Sequence, residues 1–119
     1  MADQRDIKER TFEFATRIVG LCLALDEKPG VSRTLANQLL RSGASVGANV
    51  EEAHGSQSKP DFIAKMAIAN KEARETNYWL RLLAASDVVS EEKLTDLTDE
   101  SNQLIAILTT IVKRTRENQ

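Results

Sequence analysis

The stretch that decides the fold runs from residue 41 to residue 83 and reads RSGASVGANVEEAHGSQSKPDFIAKMAIANKEARETNYWLRLL. Apolar residues recur in it every three or four positions, which is the spacing of one face of an α-helix. Gly55 interrupts the pattern, and segment 58–61 (SKPD) restarts it with a capping hydroxyl and a proline in the first turn. The stretch therefore predicts two long helices joined by a short loop.

The same spacing continues on both sides of this stretch, in a chain of 119 residues that is short enough to form a single domain, 1–119. Pro29-Gly30 ends a first helical pattern, and Ser32 follows as the expected N-cap of the second helix. Ser90 opens a last pattern whose acidic start and basic end both suit the helix dipole. These signals predict an all-α fold, an antiparallel up-down-up-down four-helix bundle. The expected helices span about 3–25, 32–54, 60–86 and 90–116.

Each predicted helix carries one apolar stripe for the core. Aromatic residues make up only 4% of the chain, so aliphatic side chains must fill that core. The predicted stripes are Ile7, Phe14, Ile18, Leu21 and Leu25; Leu35, Leu39, Val46, Val50 and Ala53; Phe62, Met66, Ala69, Ala73, Leu80 and Leu83; and Leu94, Leu97, Leu104, Leu108 and Ile111.

The first helix has a second apolar line, which a lone bundle does not explain. Phe12, Val19 and Leu23 project nearly opposite its core stripe and would lie in water, and apolar surface of this kind usually marks a partner. On the third helix, Ile68 and Trp79 flank the core stripe, where a wide core face is the alternative. We therefore predict a homo-oligomer with these five residues in its interface.

Small and polar residues run down one side of the second helix, although Ser, Gly and Asn are poor residues for a helix interior. Three interpretations are open: a hydrogen-bonded polar layer or interface facing two carboxylates of the third helix, a solvated helix face, and a ligand or catalytic site. The predicted layer comprises Arg41, Ser45, Asn49 and Glu52 with Glu72 and Glu75.

Residues that could carry chemistry are few. Glu51-x-x-His54 has the spacing of the element that a di-iron bundle uses twice, but His54 is the only histidine and such a site needs two. Cys22 and His54 together supply too few ligands for zinc, and Ser45 has no paired histidine for nucleophilic catalysis. We therefore expect no catalytic residue, no metal site and no cofactor, and hence a non-enzymatic protein.

The charge balance argues against a general nucleic-acid binder, because the formal net charge is −2 and such proteins need a concentrated positive field. A local basic patch is still compatible with this balance, and ordinary helix-surface charge is the alternative. The candidate nucleic-acid contacts are Lys71, Arg74, Arg81, Lys113, Arg114 and Arg116.

The N-terminus reads MADQRDIKER and is charged where the apolar segment of a signal peptide should begin. No apolar run approaches the roughly 18–20 residues that a membrane span needs. We therefore expect a cytoplasmic, soluble protein with no membrane association.

Three motifs in the second and third helices resemble a known family. They are Ser45-x-x-Ala48-Asn49-Val50-x-Glu52, Lys59-x-Asp61-Phe62-x-x-Lys65-x-x-Ile68-Ala69, and Glu72-x-x-Glu75-Thr76-x-x-Trp79-Leu80. The family is that of small bacterial four-helix-bundle proteins, which includes proteins encoded in intervening sequences of large-subunit (23S) ribosomal RNA genes. A relative is the accessory variability protein of diversity-generating retroelements.

The resemblance implies a left-handed up-down bundle and a homopentameric, barrel-like ring. The function of this family is mostly unknown, and the retroelement relative resembles a basic ring that binds nucleic acid and a reverse transcriptase. We therefore expect an interaction or scaffold protein whose partners are other copies of the chain and a further protein. The alternative is an RNA-associated accessory protein that uses basic patches on the ring.

Overall fold

Four α-helices account for most of residues 6–118, the part of the chain that the computed structural model describes. They are α1 (Ile7–Asp26), α2 (Val31–His54), α3 (Lys59–Ala85) and α4 (Glu91–Glu117). Consecutive helices pack closely along their length, whereas α1 and α4 approach each other over a shorter stretch. The predicted all-α, antiparallel four-helix bundle is confirmed. Within the same residues, no helix is both long and apolar enough to cross a membrane.

The start of α2 differs from the prediction, because Ser32 is not its N-cap. Gly30 takes that position with φ 92°, a left-handed conformation that glycine adopts without strain, and the helix therefore begins one residue early at Val31. The hydroxyl of Ser32 instead donates to the carbonyl oxygen of Leu25 at 2.8 Å, which ties α2 to the end of α1. The start of α1 differs too: Asp6 caps it, while predicted residues 3–5 lie outside the described part.

Ser58 caps α3 as the sequence indicated, with its hydroxyl accepting from the backbone N–H of Asp61 at 3.2 Å. Ser58→Ala removes this bond and should lower the free energy of unfolding by about 1 kcal/mol, the usual cost of a lost N-cap. Urea denaturation at one protein concentration measures the change. Ser90→Ala is the matched control, since Ser90 caps α4 without a side-chain hydrogen bond. Equal losses in the two variants would contradict the assignment.

The core consists of two apolar clusters that meet near the middle of the bundle, and the predicted stripes supply most of both. The stripe residues that are only half-buried are Ile7, Leu21, Leu35, Phe62 and Ile111. The buried apolar residues that the stripes did not include are Cys22, Ala36, Ile63 and Val112. The first cluster contains Phe14, Ile18, Cys22, Leu25, Ala36, Leu39, Leu80, Leu83, Leu94, Leu97 and Leu104. The second contains Val46, Val50, Ala53, Ile63, Met66, Ala69, Ala73, Leu108 and Val112.

Buried polar side chains join the helices where the two clusters meet. The hydroxyl of Thr76 donates to that of Ser42 at 3.0 Å and links α3 to α2. The amide of Asn77 donates to the hydroxyl of Ser101 at 2.8 Å and links α3 to α4. Because all four are buried, an alternative packing that separated them would leave polar groups without partners.

A buried ion pair joins α1 to α4, which touch over a shorter stretch than the consecutive helices do. Arg10 is only 6% exposed, and its guanidinium donates to the Glu100 carboxylate at 2.6 and 3.1 Å. The same guanidinium donates to the side-chain oxygen of Gln103 at 3.0 Å. The contacts of Arg10 with Glu100 and Gln103 fix the position of α1 along the axis of α4.

Two glycines let α1 and α2 approach each other closely. A Cβ atom on Gly43 would lie 2.8 Å from Cγ2 of Ile18, which is closer than real Cβ contacts. A Cβ atom on Gly47 would lie 3.2 Å from the carbonyl oxygen of Thr11. The close packing of these two helices therefore depends on the absence of side chains at both positions.

Candidate interaction surfaces

The outer side of the α1–α2 helix pair carries a continuous line of uncovered apolar side chains. Phe12 and Leu23 are 67% and 68% exposed, and Val19 and Leu40 are also exposed. We call this surface the α1/α2 face; its residues are Phe12, Ala15, Val19 and Leu23 of α1 with Leu40, Ala44 and Ala48 of α2.

Two clefts lie along the α1/α2 face, one beside each of its most exposed side chains. The cleft beside Phe12 has a volume of about 280 Å³ and is floored by Ala15, Gly47 and Ala48. The cleft beside Leu23 has a volume of about 190 Å³. Small residues thus create space next to large exposed ones, which is a shape that a complementary surface can enter.

Cys22 lines the second of these clefts but is not a reactive thiol. Burial raises the pKa of Cys22 to about 11, and the charge of Asp26 adds to the effect. The thiol also points to the carbonyl oxygen of Ala36, 3.4 Å away. Since the thiolate is the nucleophile and the thiol dominates at neutral pH, Cys22 serves as a packing residue here.

The residues of the predicted polar layer divide into two groups. Arg41 bridges both carboxylates of α3: its guanidinium donates to Glu72 at 3.2 Å and forms an ion pair with Glu75. Trp79 donates its indole N–H to Glu75 at 3.0 Å and extends this network along α3. Because Arg41 is half exposed, each of its ion pairs contributes only about 0–1 kcal/mol.

The other residues of the predicted layer bond within α2 or face solvent. Ser45 donates to the carbonyl oxygen of Arg41 at 2.6 Å, and the Asn49 amide donates to that of Ser45 at 2.8 Å. Glu52 is exposed. The structure therefore brings Arg41, Glu72 and Glu75 together and leaves Ser45 and Asn49 bonded to the backbone one turn earlier.

A second surface combines apolar and charged side chains. We call it the α2/α3 face, and it consists of Arg41, Ile68, Glu72, Glu75 and Trp79. The last four residues recur on α3 at the spacing of one helix side. Ile68 is exposed, and Trp79 is half-buried against the first core cluster. The predicted interface residues thus lie on two sides of α2, with Phe12, Val19 and Leu23 on one side and Ile68 and Trp79 on the other.

The six candidate nucleic-acid contacts do not form one patch. Arg74, Lys113 and Arg116 line one cleft of about 480 Å³ between α3 and α4. Arg81 lies in a different cleft near the opposite end of the same helix pair, where its guanidinium donates to the side-chain oxygen of Asn77 at 2.8 Å. Lys71 and Arg114 are exposed and line neither cleft.

His54 lies in the last turn of α2, where Nδ1 is 2.8 Å from the carbonyl oxygen of Val50 and the ring meets Phe62 edge to face. Across residues 6–118, no group of three or more His, Cys, Asp or Glu side chains is arranged to hold a metal ion.

The family model of the 23S rRNA-intervening sequence protein matches residues 3–110. The chain belongs to this family. A crystal structure of a protein of unknown function from the S23 ribosomal protein family of Bacteroides thetaiotaomicron VPI-5482 is 40% identical, with a TM-score of 0.84 over 91% of this chain and 99% of that one. A comparison with curated proteins found no match. The resemblance drawn from the three motifs is thereby confirmed.

Sequence reasoning missed three large exposed side chains of this member of the 23S rRNA-intervening sequence protein family, which are Val31, Leu40 and Tyr78. Leu40 directly follows the buried Leu39. Adjacent helix residues point in different directions, so Leu40 lies outside when Leu39 faces the core. Tyr78 stacks edge to face on Trp79, with ring centroids 5.1 Å apart, and half of its surface stays uncovered. All three residues add apolar surface to the outside of the bundle.

Proposed function

We propose that this chain is a cytoplasmic, non-enzymatic interaction or scaffold protein that assembles with copies of itself into a ring, a pentamer. The observation that carries the proposal is the α1/α2 face, where Phe12 and Leu23 stand about two-thirds exposed beside clefts of small residues. Contiguous apolar surface of this kind marks a protein interface.

The energy available from the α1/α2 face is of the right size for self-association. Burying Phe12, Val19 and Leu23 contributes at most about 1.5–3 kcal/mol each, or at most about 5–9 kcal/mol together, since each side chain is already partly covered. Association costs about 4–15 kcal/mol in lost freedom of motion. The three side chains roughly balance that cost, so stable assembly needs further apolar surface from the opposing copy, which the α2/α3 face offers at Ile68 and Trp79.

The arrangement of these two faces supports a ring. A head-to-tail ring joins two different surfaces of each copy, whereas a two-fold dimer needs only one. The α1/α2 and α2/α3 faces adjoin each other along α2, and neighbouring sides of a four-helix bundle meet at roughly a right angle. A closed ring requires about 90° between the two interfaces for four copies and about 108° for five, so this geometry supports a small ring, and the number five rests on the family resemblance. In such a ring, α2 faces the central axis.

The variant Phe12→Ser with Leu23→Ser tests the proposal. At about 1 M salt the wild type should sediment as an oligomer. The double variant should shift to monomer there, because each interface loses up to about 3–6 kcal/mol of apolar burial. Val31→Ser is the matched control, since Val31 is 69% exposed but lies outside the α1/α2 face. Sedimentation of the wild type as a monomer at micromolar concentration would contradict the proposal.

RNA association is the second candidate function, and the convergence of Arg74, Lys113 and Arg116 on one cleft favours it. Two observations oppose it: the net charge is −2, and carboxylates line the other cleft of the same helix pair. Binding of RNA that weakens with rising salt and disappears in Arg74→Glu with Lys113→Glu would support this function. Absence of RNA retardation even at low salt would remove it.

A further inference from the structure

The groove between α3 and α4 has opposite charge at its two ends. Its basic end is the cleft of Arg74, Lys113 and Arg116, which keeps an excess of two positive charges after Glu117 is counted. Its acidic end is the cleft of Glu91 and Asp99, which keeps one negative charge after Arg81 is counted. We call the outer surface of this helix pair, with both ends, the α3/α4 face.

The charges at both ends are unsatisfied within the described chain. Arg74, Lys113 and Arg116 form no ion pair with any residue of 6–118, and the same holds for Glu91 and Asp99. Most exposed cations of the described chain also lack an ion pair, Arg17 among them, so the α3/α4 face is distinguished by the separation of opposite charges at its two ends. The α3/α4 face thus carries free charge that the fold itself does not use.

Helix dipoles account for only part of this pattern, because their effect falls off within the first and last turns. Glu91, Lys113 and Arg116 lie near the ends of α4 and suit the dipole. Arg74 lies in the middle of α3, and Asp99 lies more than two turns inside α4. These two residues extend the charge separation beyond what the dipole explains.

We propose that the α3/α4 face is a second self-association surface, on which two copies pair about a two-fold axis with the acidic end of each on the basic end of the other. A two-fold interface must be self-complementary, and a surface with opposite charge at its two ends meets that requirement. This pairing is separate from the α1/α2 face and joins two monomers or two whole oligomers.

Tyr78 lies at the expected centre of the pairing. It stands on α3 between Arg74 of the basic end and Arg81 of the acidic end, and it is 49% exposed. Its ring is held from within by Trp79 at its edge and by the Arg81 guanidinium 5.8 Å from its centroid. Tyrosine is enriched among the residues that anchor interfaces near their centre, and Tyr78 lies between the two charged ends of this face.

The size of the α3/α4 face is sufficient for a specific interface. Helices of 27 residues are about 40 Å long, and two side by side are about 20 Å wide. The resulting area of about 800 Å² per copy equals that of a standard protein–protein interface. Because the complementarity is electrostatic, the pairing should weaken steeply with salt.

A second copy fits this face better than a polyanion does. An extended phosphate backbone lying in the groove would be attracted at the basic end and repelled by Glu91 and Asp99 at the acidic end. A copy turned by the two-fold axis presents the opposite charge at both ends. The observations therefore favour self-pairing over nucleic acid at this surface.

Charge reversals in the full chain, followed by sedimentation, test the pairing. The mass of the wild type should at least double between about 1 M and about 0.01 M salt, since the screening length rises from about 3 Å to about 30 Å and every copy of an oligomer carries its own α3/α4 face. Arg74→Glu with Lys113→Glu should weaken the pairing at least tenfold, and so should Glu91→Lys with Asp99→Lys. Each variant is first checked for wild-type helical circular dichroism, and Asp99→Lys alone replaces the acidic pair if the first turn of α4 unfolds.

Recovery of the pairing is the decisive result. An equimolar mixture of the two reversed variants, or one chain with all four substitutions, should regain the doubled mass because opposite charges again face each other. Arg17→Glu with Arg114→Glu is the matched control, with the same charge change on exposed residues outside both clefts, and it should keep the doubling.

The outcomes separate this proposal from assembly through the α1/α2 face. In Phe12→Ser with Leu23→Ser, the doubling at low salt should persist as a monomer–dimer change even where the larger oligomer is lost. A wild-type mass that does not depend on salt would overturn the pairing. So would a chain with all four substitutions that does not regain the larger mass at low salt. RNA retardation lost in Arg74→Glu with Lys113→Glu, without any doubling of mass, would assign the basic end to a polyanion instead.

Discussion

Arg10→Ala is expected to lower the free energy of unfolding by about 3–5 kcal/mol, because it leaves a buried carboxylate without its partner. The Glu100 side chain is only 14% exposed, and the guanidinium of Arg10 holds it through two hydrogen bonds. With the guanidinium gone, Glu100 must stay charged in a poorly solvated site, take up a proton, or swing into solvent and open the contact between α1 and α4. Urea denaturation at one fixed protein concentration measures the loss.

The double substitution Arg10→Met with Glu100→Leu is the matched control for this ion pair. It removes both charges and keeps most of the volume, and replacing a buried pair by apolar residues is often neutral. We expect the double variant to recover most of the stability that Arg10→Ala loses. If Arg10→Ala costs less than about 1 kcal/mol, the pair behaves as a surface salt bridge and its buried role is wrong.

Gly43→Val is expected to lower the free energy of unfolding by about 3 kcal/mol, at the upper end of the range for overpacked cores. The first added carbon already lies 2.8 Å from Cγ2 of Ile18, and Ile18 is fully buried and has no room to move away. The branched side chain of valine adds two methyl groups to that contact. Thermal and urea unfolding of the variant measure the cost.

Gly20→Ala is the control, because it adds a side chain to a helical glycine that has free space around it. Gly20 lies inside α1, and a Cβ atom there would meet nothing within 4 Å. Alanine is favoured over glycine in a helix interior by about 1 kcal/mol, so this variant should be more stable than the wild type. A Gly43→Val variant as stable as the wild type would show that α1 and α2 can separate without cost.

The four helices could be predicted from the sequence because their signals are local. Pro29-Gly30 and Gly55 end helices, Ser58 supplies a cap three residues before the N–H that it binds, and each apolar stripe repeats within its own helix. The start of α2 was wrong by one residue because the left-handed backbone of Gly30 is not visible in its neighbours' identities.

Contacts between distant residues could not be predicted in the same way. Arg10 and Glu100 are separated by 90 positions, and each alone resembles an ordinary exposed helix residue. Ser42 and Asn77 also look like surface residues, yet the rotation of α2 and α3 turns them inward. Ser45 and Asn49 of the predicted layer lie beside Ser42 on the circumference of α2, but further from the core. A small error in the assumed orientation of the helix therefore exchanges an interior polar residue for an exterior one.

The candidate surfaces also combine features that one helix determines with features that depend on the packing of two helices. The exposed line of Phe12 and Leu23 followed from the spacing of α1 alone, and the structure does expose both side chains. The clefts beside them required the position of α2, because Gly47 and Ala48 line the cleft beside Phe12 and Ala36 lines the cleft beside Leu23. Similarly, the separation of Arg74 from Arg81 into two clefts depends on which part of α4 each one meets. The role of these surfaces in assembly stays a prediction.

The division of the core into two clusters sets an order for partial unfolding. In the described chain, the second cluster has no fully buried residue from α1, and only half-buried Ile7 reaches it. An opening that releases α1 therefore dismantles the first cluster and leaves α2, α3 and α4 joined around the second. The ion pair of Arg10 and Glu100 must break in that step, so it opposes the separation of α1 from the other three helices.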